Sequence, residues 1–372
     1  MYLQIEVKKK NNCVNISYMI PLNLYIHIPF CFAKCPYCAF FSCTNCEDTY
    51  EEYFKTLNKE ILTKSKIYKD REIQTIYIGG GTPNLVPYKY IIECIENIKK
   101  SFQLSKSIEI TIEQYPQYIR KESLEAYKAV GINRISIGLQ ATDDNQLQQL
   151  SRRYTYEEFL EKYNLVKKIG IKDIGIDLIF GYPNHTLNQW EKSLELVTVL
   201  DINHISCYSL EVEEETPYGK LNEKGKLNLP TEIVDREMYH YACDYLNKKG
   251  FKQYEISNFA KEGYECMHNL NFWHYQDYVG LGAGAYSRVE NTKSHNPEDI
   301  QKYINGEWDI EKEDIKKEDE RIERIMLGLR LNEGIKYDGK LFQKKYMIKV
   351  GENMILNING KDMYNQVVEK II

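Results

Sequence analysis

Long hydrophobic runs are missing from this 372-residue chain. No segment approaches the ~18 consecutive apolar residues that a membrane helix requires, so no spanning helix is expected. The first 23 residues, MYLQIEVKKKNNCVNISYMIPLN, are too polar to serve as a signal peptide, which points to a cytoplasmic protein. A basic excess is missing too. Lys+Arg 49 against Asp+Glu 54 gives a net charge of −5, without the positive footprint that binding to a phosphate backbone leaves. Nucleic acid is therefore not an expected partner.

What is present is the balance of a folded globular protein, with 43% hydrophobic and 28% charged residues. The length exceeds the roughly 250–300 residues at which single cores stop growing, so two domains are expected. In a reducing compartment the 10 cysteines read as metal ligands or core thiols rather than a disulfide framework.

Short β-branched runs recur at Leu24 to Ile28, Thr75 to Ile78, Ile108 to Ile112, Arg134 to Leu139, Ile174 to Phe180 and His204 to Leu210. They predict six strands. Between them lie segments with helical spacing, such as Leu124, Tyr127 and Val130 before Gly131, and Phe159, Tyr163 and Val166 before Gly170. KAVGI, KKIGI and NKKGF each end a helix on a glycine that suits the left-handed closing residue. Alternation of this kind implies parallel strands with right-handed crossovers, an α/β sheet or a barrel short of eight units. After Phe251 the rhythm fails. A charged run from Glu307 to Glu323 reads as a solvated linker and helix face, and Ile322, Ile325, Met326 and Leu329 predict an amphipathic helix opening a small C-terminal domain.

The strongest chemical signal is Cys31-Phe-Ala-Lys-Cys35-Pro-Tyr-Cys38, directly after the first strand. Three thiolates can hold three irons of a [4Fe–4S] cubane and leave the fourth iron open. Zinc is the competing reading, and it would take a fourth ligand from His27, Cys43 or Cys46. The second strand runs into Gly79-Gly80-Gly81-Thr82-Pro83, a turn that lets backbone approach a ligand closely. Later strands end on Glu113, Gln140, Asp177 and, after the sixth, Glu211. Ligands of parallel barrels gather at such strand ends, although any one of these residues could instead cap a helix.

CxxxCxxC followed by GGGTP resembles the radical S-adenosylmethionine superfamily, and the order of segments resembles its subgroup of coproporphyrinogen III dehydrogenases and haem chaperones over residues 23 to 372. The resemblance implies a partial (β/α)6 barrel at 23–255 behind an N-terminal extension at 1–22. A linker and smaller α+β or helical domain of the dehydrogenase type would follow at 256–372. It implies a cluster on Cys31, Cys35 and Cys38. It implies S-adenosylmethionine contacts from Tyr25, Gly80, Gly81, Thr82, Glu113, Gln140, Arg152 and Asp177, with Arg153 adjoining Arg152. Tyr37 could pack on the adenine, carboxylates can accept from ammonium or ribose hydroxyls, and arginine can pair with a carboxylate.

Two features separate the branches of the subgroup. The dehydrogenase carries a fourth cysteine two residues after the third, where this chain has Phe40. His268-Asn-Leu-Asn-Phe272-Trp273 resembles the HNxxYW signature of the chaperone branch, with phenylalanine in place of tyrosine. The resemblance thus implies haem as cargo, transfer to an acceptor protein that is membrane-bound, and haem-linked dimerisation; oxidative decarboxylation of coproporphyrinogen III is the alternative. His268 is a candidate haem ligand, the competing role being a histidine hydrogen-bonded in a domain interface. Cys266, Met267 and His274 beside it read as ordinary packing. Cys43-Thr-Asn-Cys46 could be a redox pair or a second metal site and reads most simply as two reduced thiols.

Overall fold

The computed structural model describes residues 19–337 and 345–371. Most of the extension expected at 1–22 lies outside the described residues, and its end already belongs to the first strand. All six expected strands form: β1 Ile20–Ile28, β2 Arg71–Gly80, β3 Gln103–Gln114, β4 Arg134–Gln140, β5 Asp173–Phe180 and β6 His204–Ser209. They pair in sequence order and all in parallel. The intervening helices end as the sequence suggests, with Gly131, Gly170 and Gly250 at positive φ after them.

Beyond residue 251 the same sheet continues on both flanks. β7 (Lys252–Gln253) and β8 (Asn258–Ala260) extend it past β6. β9 (Tyr278–Leu281), β10 (Tyr286–Val289), β11 (Thr292–His295) and β12 (Glu311–Asp314) extend it past β1. The order β12-β11-β10-β9-β1-β2-β3-β4-β5-β6-β8-β7 does not return to β1, so the barrel is open. The division expected after residue 255 falls inside this sheet, between β7 and β8. A separate small core gathers Ile325 and Leu329 of helix Lys317–Arg330 with Met347, Met354, Leu356 and Val367. It sits on a three-stranded sheet of β13 (Ile335–Lys336), β14 (Met347–Val350) and β15 (Asn353–Leu356).

Side chains alternate along every barrel strand. Leu22, Leu24, Ile26 and Ile28 of β1, Ile76 and Ile78 of β2, and Ile135, Ile137 and Leu139 of β4 are at most 1% exposed and join the core under the helices. The opposite faces carry Asn23, Tyr25 and His27; Thr75, Tyr77 and Gly79; Glu109 and Glu113; Arg134 and Ser136; Asp173 and Asp177; and His204, Ser206 and Tyr208. The outer face is aliphatic and the inner face polar. Parallel sheets covered on both faces normally read as continuous apolar runs, so this inner face is built for something other than a dry core.

Candidate functional site

The loop after β1 is clamped from two sides. On one side Gly81 N–H donates to Ile28 O (2.8 Å) and Thr82 N–H to Phe30 O (2.8 Å). On the other, Cys31 N–H donates to Cys43 O (2.9 Å) and Cys43 N–H to Pro29 O (2.6 Å). Phe30 anchors the loop by packing on Tyr50 and Tyr53. Cys31, Cys35 and Cys38 remain half-exposed with free thiols. Cys31 Sγ lies 3.6 Å from Thr82 Oγ1, and burial pushes the thiols of Cys31 and Cys38 up.

The residues that zinc would need as a fourth ligand are engaged elsewhere. His27 Nε2 bonds Phe41 O (3.0 Å) and its Nδ1 bonds the Tyr25 hydroxyl (3.0 Å). Since Nε2 must donate to the carbonyl, Nδ1 accepts from Tyr25, and neither nitrogen is left for a metal. Cys43 and Cys46 are joined to each other as a disulfide, which corrects the expectation of two reduced thiols. Among the described residues no three His, Cys, Asp or Glu side chains converge on one ion.

The glycines of the second turn make room for named neighbours. A Cβ on Gly80, at φ +112°, would lie 2.7 Å from the His27 ring, and one on Gly81 would lie 2.8 Å from Phe30 O and 3.0 Å from Cys31 Sγ. Thr82 is buried beside them. Below, Tyr77 O–H donates to Glu113 Oε1 (2.9 Å). Burial, with Asp177 adding to it, pushes the Glu113 carboxyl up to about 7. Asp177 accepts from Ser206 (2.7 Å) and Ser136 (3.1 Å). Tyr25 stacks on Tyr77. These side chains are strongly desolvated yet partly accessible, as groups lining an interior cavity are.

Arg152 and its neighbour separate clearly. Arg152 Nη2 donates to Tyr37 OH (2.5 Å), its guanidinium lies over the Tyr115 ring, and its Nε has no partner. Arg153 turns outward onto Phe32, its guanidinium 4.5 Å from the ring centre. Gln140 adopts φ +70°, where β4 shifts register against β5, and its amide lies over Gly138. Glu211 is exposed after β6. On β6 the residue opposite Asp177 is Ser206; Tyr208 lies two residues further along the same face, its hydroxyl pushed up by burial and by the Asp177 charge.

The HNLNFW motif forms helix Met267–Trp273 against the opposite, N-terminal ends of the strands. Glu109 accepts Met267 N–H (2.9 Å) and His268 N–H (3.1 Å). His268 Nδ1 lies 2.7 Å from Thr75 Oγ1, which donates to Asn23 Oδ1 (2.9 Å). Asn23 Oδ1 also accepts from Asn271 (2.8 Å), and Asn23 Nδ2 donates to Asp277 O (3.0 Å), which fixes the amide's orientation. Because Thr75 gives its only proton to Asn23, His268 Nδ1 must be the donor, and its Nε2 carries a lone pair. The ring stacks on Tyr77. Burial, with Arg134 nearby, pulls its pKa down to about 3. Of its neighbours, Cys266 is buried, Met267 is exposed and His274 pairs with Glu333.

Residues 25–197 match the profile of the Radical SAM superfamily. A heme chaperone HemW of Buchnera aphidicola is 36% identical, the match covering 84% of this chain and 83% of that protein. The heme chaperone HemW of Bacillus subtilis is 33% identical, over 87% of this chain and 86% of its own length. Among solved structures, the coproporphyrinogen III oxidase HemN of Escherichia coli, a radical SAM enzyme, superposes with a TM-score of 0.82. That match covers 95% of this chain and 91% of the other at 21% identity, a likeness of fold.

The chain belongs to the HemW family of radical SAM proteins. A [4Fe–4S] cluster and S-adenosylmethionine follow from the superfamily, and the HemW-family chain has residues that fit them at one end of its barrel. Three free cysteines stand beside a glycine turn, two interior carboxylates and a half-buried arginine. The motif histidine stands at the other end. Tyr77, Ser136, Ser206 and Tyr208 were not singled out in the sequence. Strict aliphatic–polar alternation in β1 to β6 would have marked them.

Proposed function

We propose that the chain is a haem chaperone that binds haem and passes it to an acceptor protein, with a [4Fe–4S] cluster on Cys31, Cys35 and Cys38 and S-adenosylmethionine beside it. The observation that carries the reading is the likeness, over more than four-fifths of the chain, to curated haem chaperones. Phe40 supports it. It occupies the position of the dehydrogenase's fourth cysteine and is 70% exposed.

Gly80, Gly81 and Thr82 would offer backbone to the cofactor's methionine end. Glu113 would accept from its ammonium, which would draw the carboxyl back below its raised pKa. Arg152 would pair with its carboxylate. Tyr25, Gln140 and Asp177 would complete the contacts, and Tyr37 would lie against the adenine. When bound, cluster and cofactor together supply reductive cleavage of a sulfonium. The chain's own part is to place the groups and exclude water. His268 would serve haem as an axial base, since its neutral Nε2 lone pair is held ready by the Thr75–Asn23 chain. A membrane-bound acceptor and a haem-linked dimer belong to the same proposal.

Spectral titration of the purified chain with haem should show saturable binding that His268→Ala weakens at least tenfold. Absence of haem binding would remove the reading. Anaerobic conversion of coproporphyrinogen III to protoporphyrinogen IX by the cluster-loaded chain would replace it with the dehydrogenase.

A further inference from the structure

The Cys43–Cys46 pair is not used by the function proposed above, and its position is unusual. The two cysteines enclose only Thr44 and Asn45, and their Cα atoms are 6.2 Å apart. Asn45 takes a left-handed φ of 56°, which folds the turn so that the sulfurs meet. Both cysteines are half-exposed, so a thiol in solution can reach them. Cys46 O then accepts Thr49 N–H (3.0 Å) and the Thr49 hydroxyl (2.7 Å) where the next helix begins.

Several observations argue against a structural staple. A bridge across so few residues removes less freedom from the unfolded chain than a long-range one. The seven other described cysteines are free. The bridge is also bonded to the backbone that carries the first cluster cysteine. Cys43 O accepts from Cys31 N–H and Cys43 N–H donates to Pro29 O, while Phe41 O receives His27 Nε2–H. Two thiols cannot keep the bonding contact that a disulfide has, so opening the bridge lets the sulfurs part and removes the covalent restraint on the turn from 43 to 46. That turn is joined to the backbone of Cys31 through the two hydrogen bonds of residue 43.

We propose that Cys43 and Cys46 are a reversible dithiol–disulfide site that sets how firmly the Cys31 loop is held, with small thiols or a protein dithiol as reaction partner. In the reducing direction one thiolate attacks the bridge and forms a mixed disulfide; a second thiol of the partner resolves it. Two electrons and two protons enter the pair, and the partner leaves as its own disulfide. The closed pair holds the loop, and the open pair loosens it.

The test uses the full chain. The apo protein is equilibrated anaerobically with reduced and oxidised glutathione at stepped ratios, then trapped with a maleimide of known mass. The wild type should gain two labels in one two-electron transition that maps to the peptide holding Cys43 and Cys46. Cys43→Ser and Cys46→Ser should each lack that transition while keeping the wild-type circular dichroism. In the iron–sulfur-reconstituted chain, transfer of iron to a chelator should be at least threefold faster with the pair reduced than oxidised. The double serine variant should release iron at the fast rate under both conditions. Absence of a paired transition at these residues at any ratio, or equal iron release from the two states, overturns the proposal. The iron-release readout rests on the proposed cluster and the labelling transition does not; since neither involves haem or S-adenosylmethionine, failure here is distinguishable from failure of the chaperone reading.

Discussion

At the mouth of the barrel, the groups that matter are half-exposed and are held mainly through backbone. The Cys31 loop hangs on hydrogen bonds from Gly81, Thr82 and Cys43, and its thiols are free. At the underside, about five residues back along the strands or roughly 16 Å at strand rise, side chains bond side chains. His268, Thr75, Asn23 and Asn271 form one chain, and Glu109 holds the first turn of the helix that closes the bottom. Backbone clamps leave side chains available for a cofactor. A saturated side-chain network leaves only what it does not use, which here is the His268 Nε2 lone pair. One barrel therefore offers a site that is open by construction and a base that is fixed by construction.

The largest effect that would break this comparison is at the mouth. Replacing Cys31, Cys35 or Cys38 by serine should lower bound iron more than tenfold after reconstitution while leaving the melting temperature of the apo chain nearly unchanged. A large fall in stability would mean that these thiols are core groups. Arg152→Ala should weaken S-adenosylmethionine binding ten- to hundredfold, about 1.5–3 kcal/mol, whereas Arg153→Ala should leave it unchanged; isothermal titration of both variants separates the two arginines. Equal effects would show that orientation does not distinguish them.

At the underside Thr75→Val keeps the shape and removes the hydroxyl, leaving His268 Nδ1 without its acceptor. Loss of about 1–3 kcal/mol in urea unfolding is expected, together with weaker haem binding as the imidazole loses its fixed tautomer. A stable variant with unaltered haem titration would show that the network does not position the base.

The smallest effect sharpens the electrostatics of the mouth. Glu113 titrates at about 7 in the folded chain against 4.5 as an ordinary side chain. Above pH 4.5 the unfolded chain has lost a proton that the folded chain keeps, so stability falls as pH rises from about 4.5 to about 7. Glu113→Gln should remove that fall and gain on the order of 1 kcal/mol for the cofactor-free chain at pH 8. Parallel pH profiles of variant and wild type would contradict the assignment.

Much of this was legible in the residues. The six strands were marked by β-branched runs, and three helix ends by glycines that adopt positive φ. Both are local signals, set by steric preference at single residues. Glu113 and Asp177 were legible as polar residues in aliphatic strands. Glu211 was not, because its direction depends on where β6 stops; the strand ends at Ser209, and Ser206 is the residue that faces Asp177. The extension of the sheet by β7 to β12 also escaped notice, since short edge strands carry too few residues to show a period.

The sequence by itself determined the strands, the three cysteines with their glycine turn, and family membership, because each is written in neighbouring residues. Tertiary structure alone decided which arginine enters the site, that His27 Nε2 is spent on Phe41, and which nitrogen of His268 is free. Hydrogen bonds and packing between residues far apart in the chain settle these choices, with Thr75 and His268 193 positions apart. No local pattern encodes such a pairing.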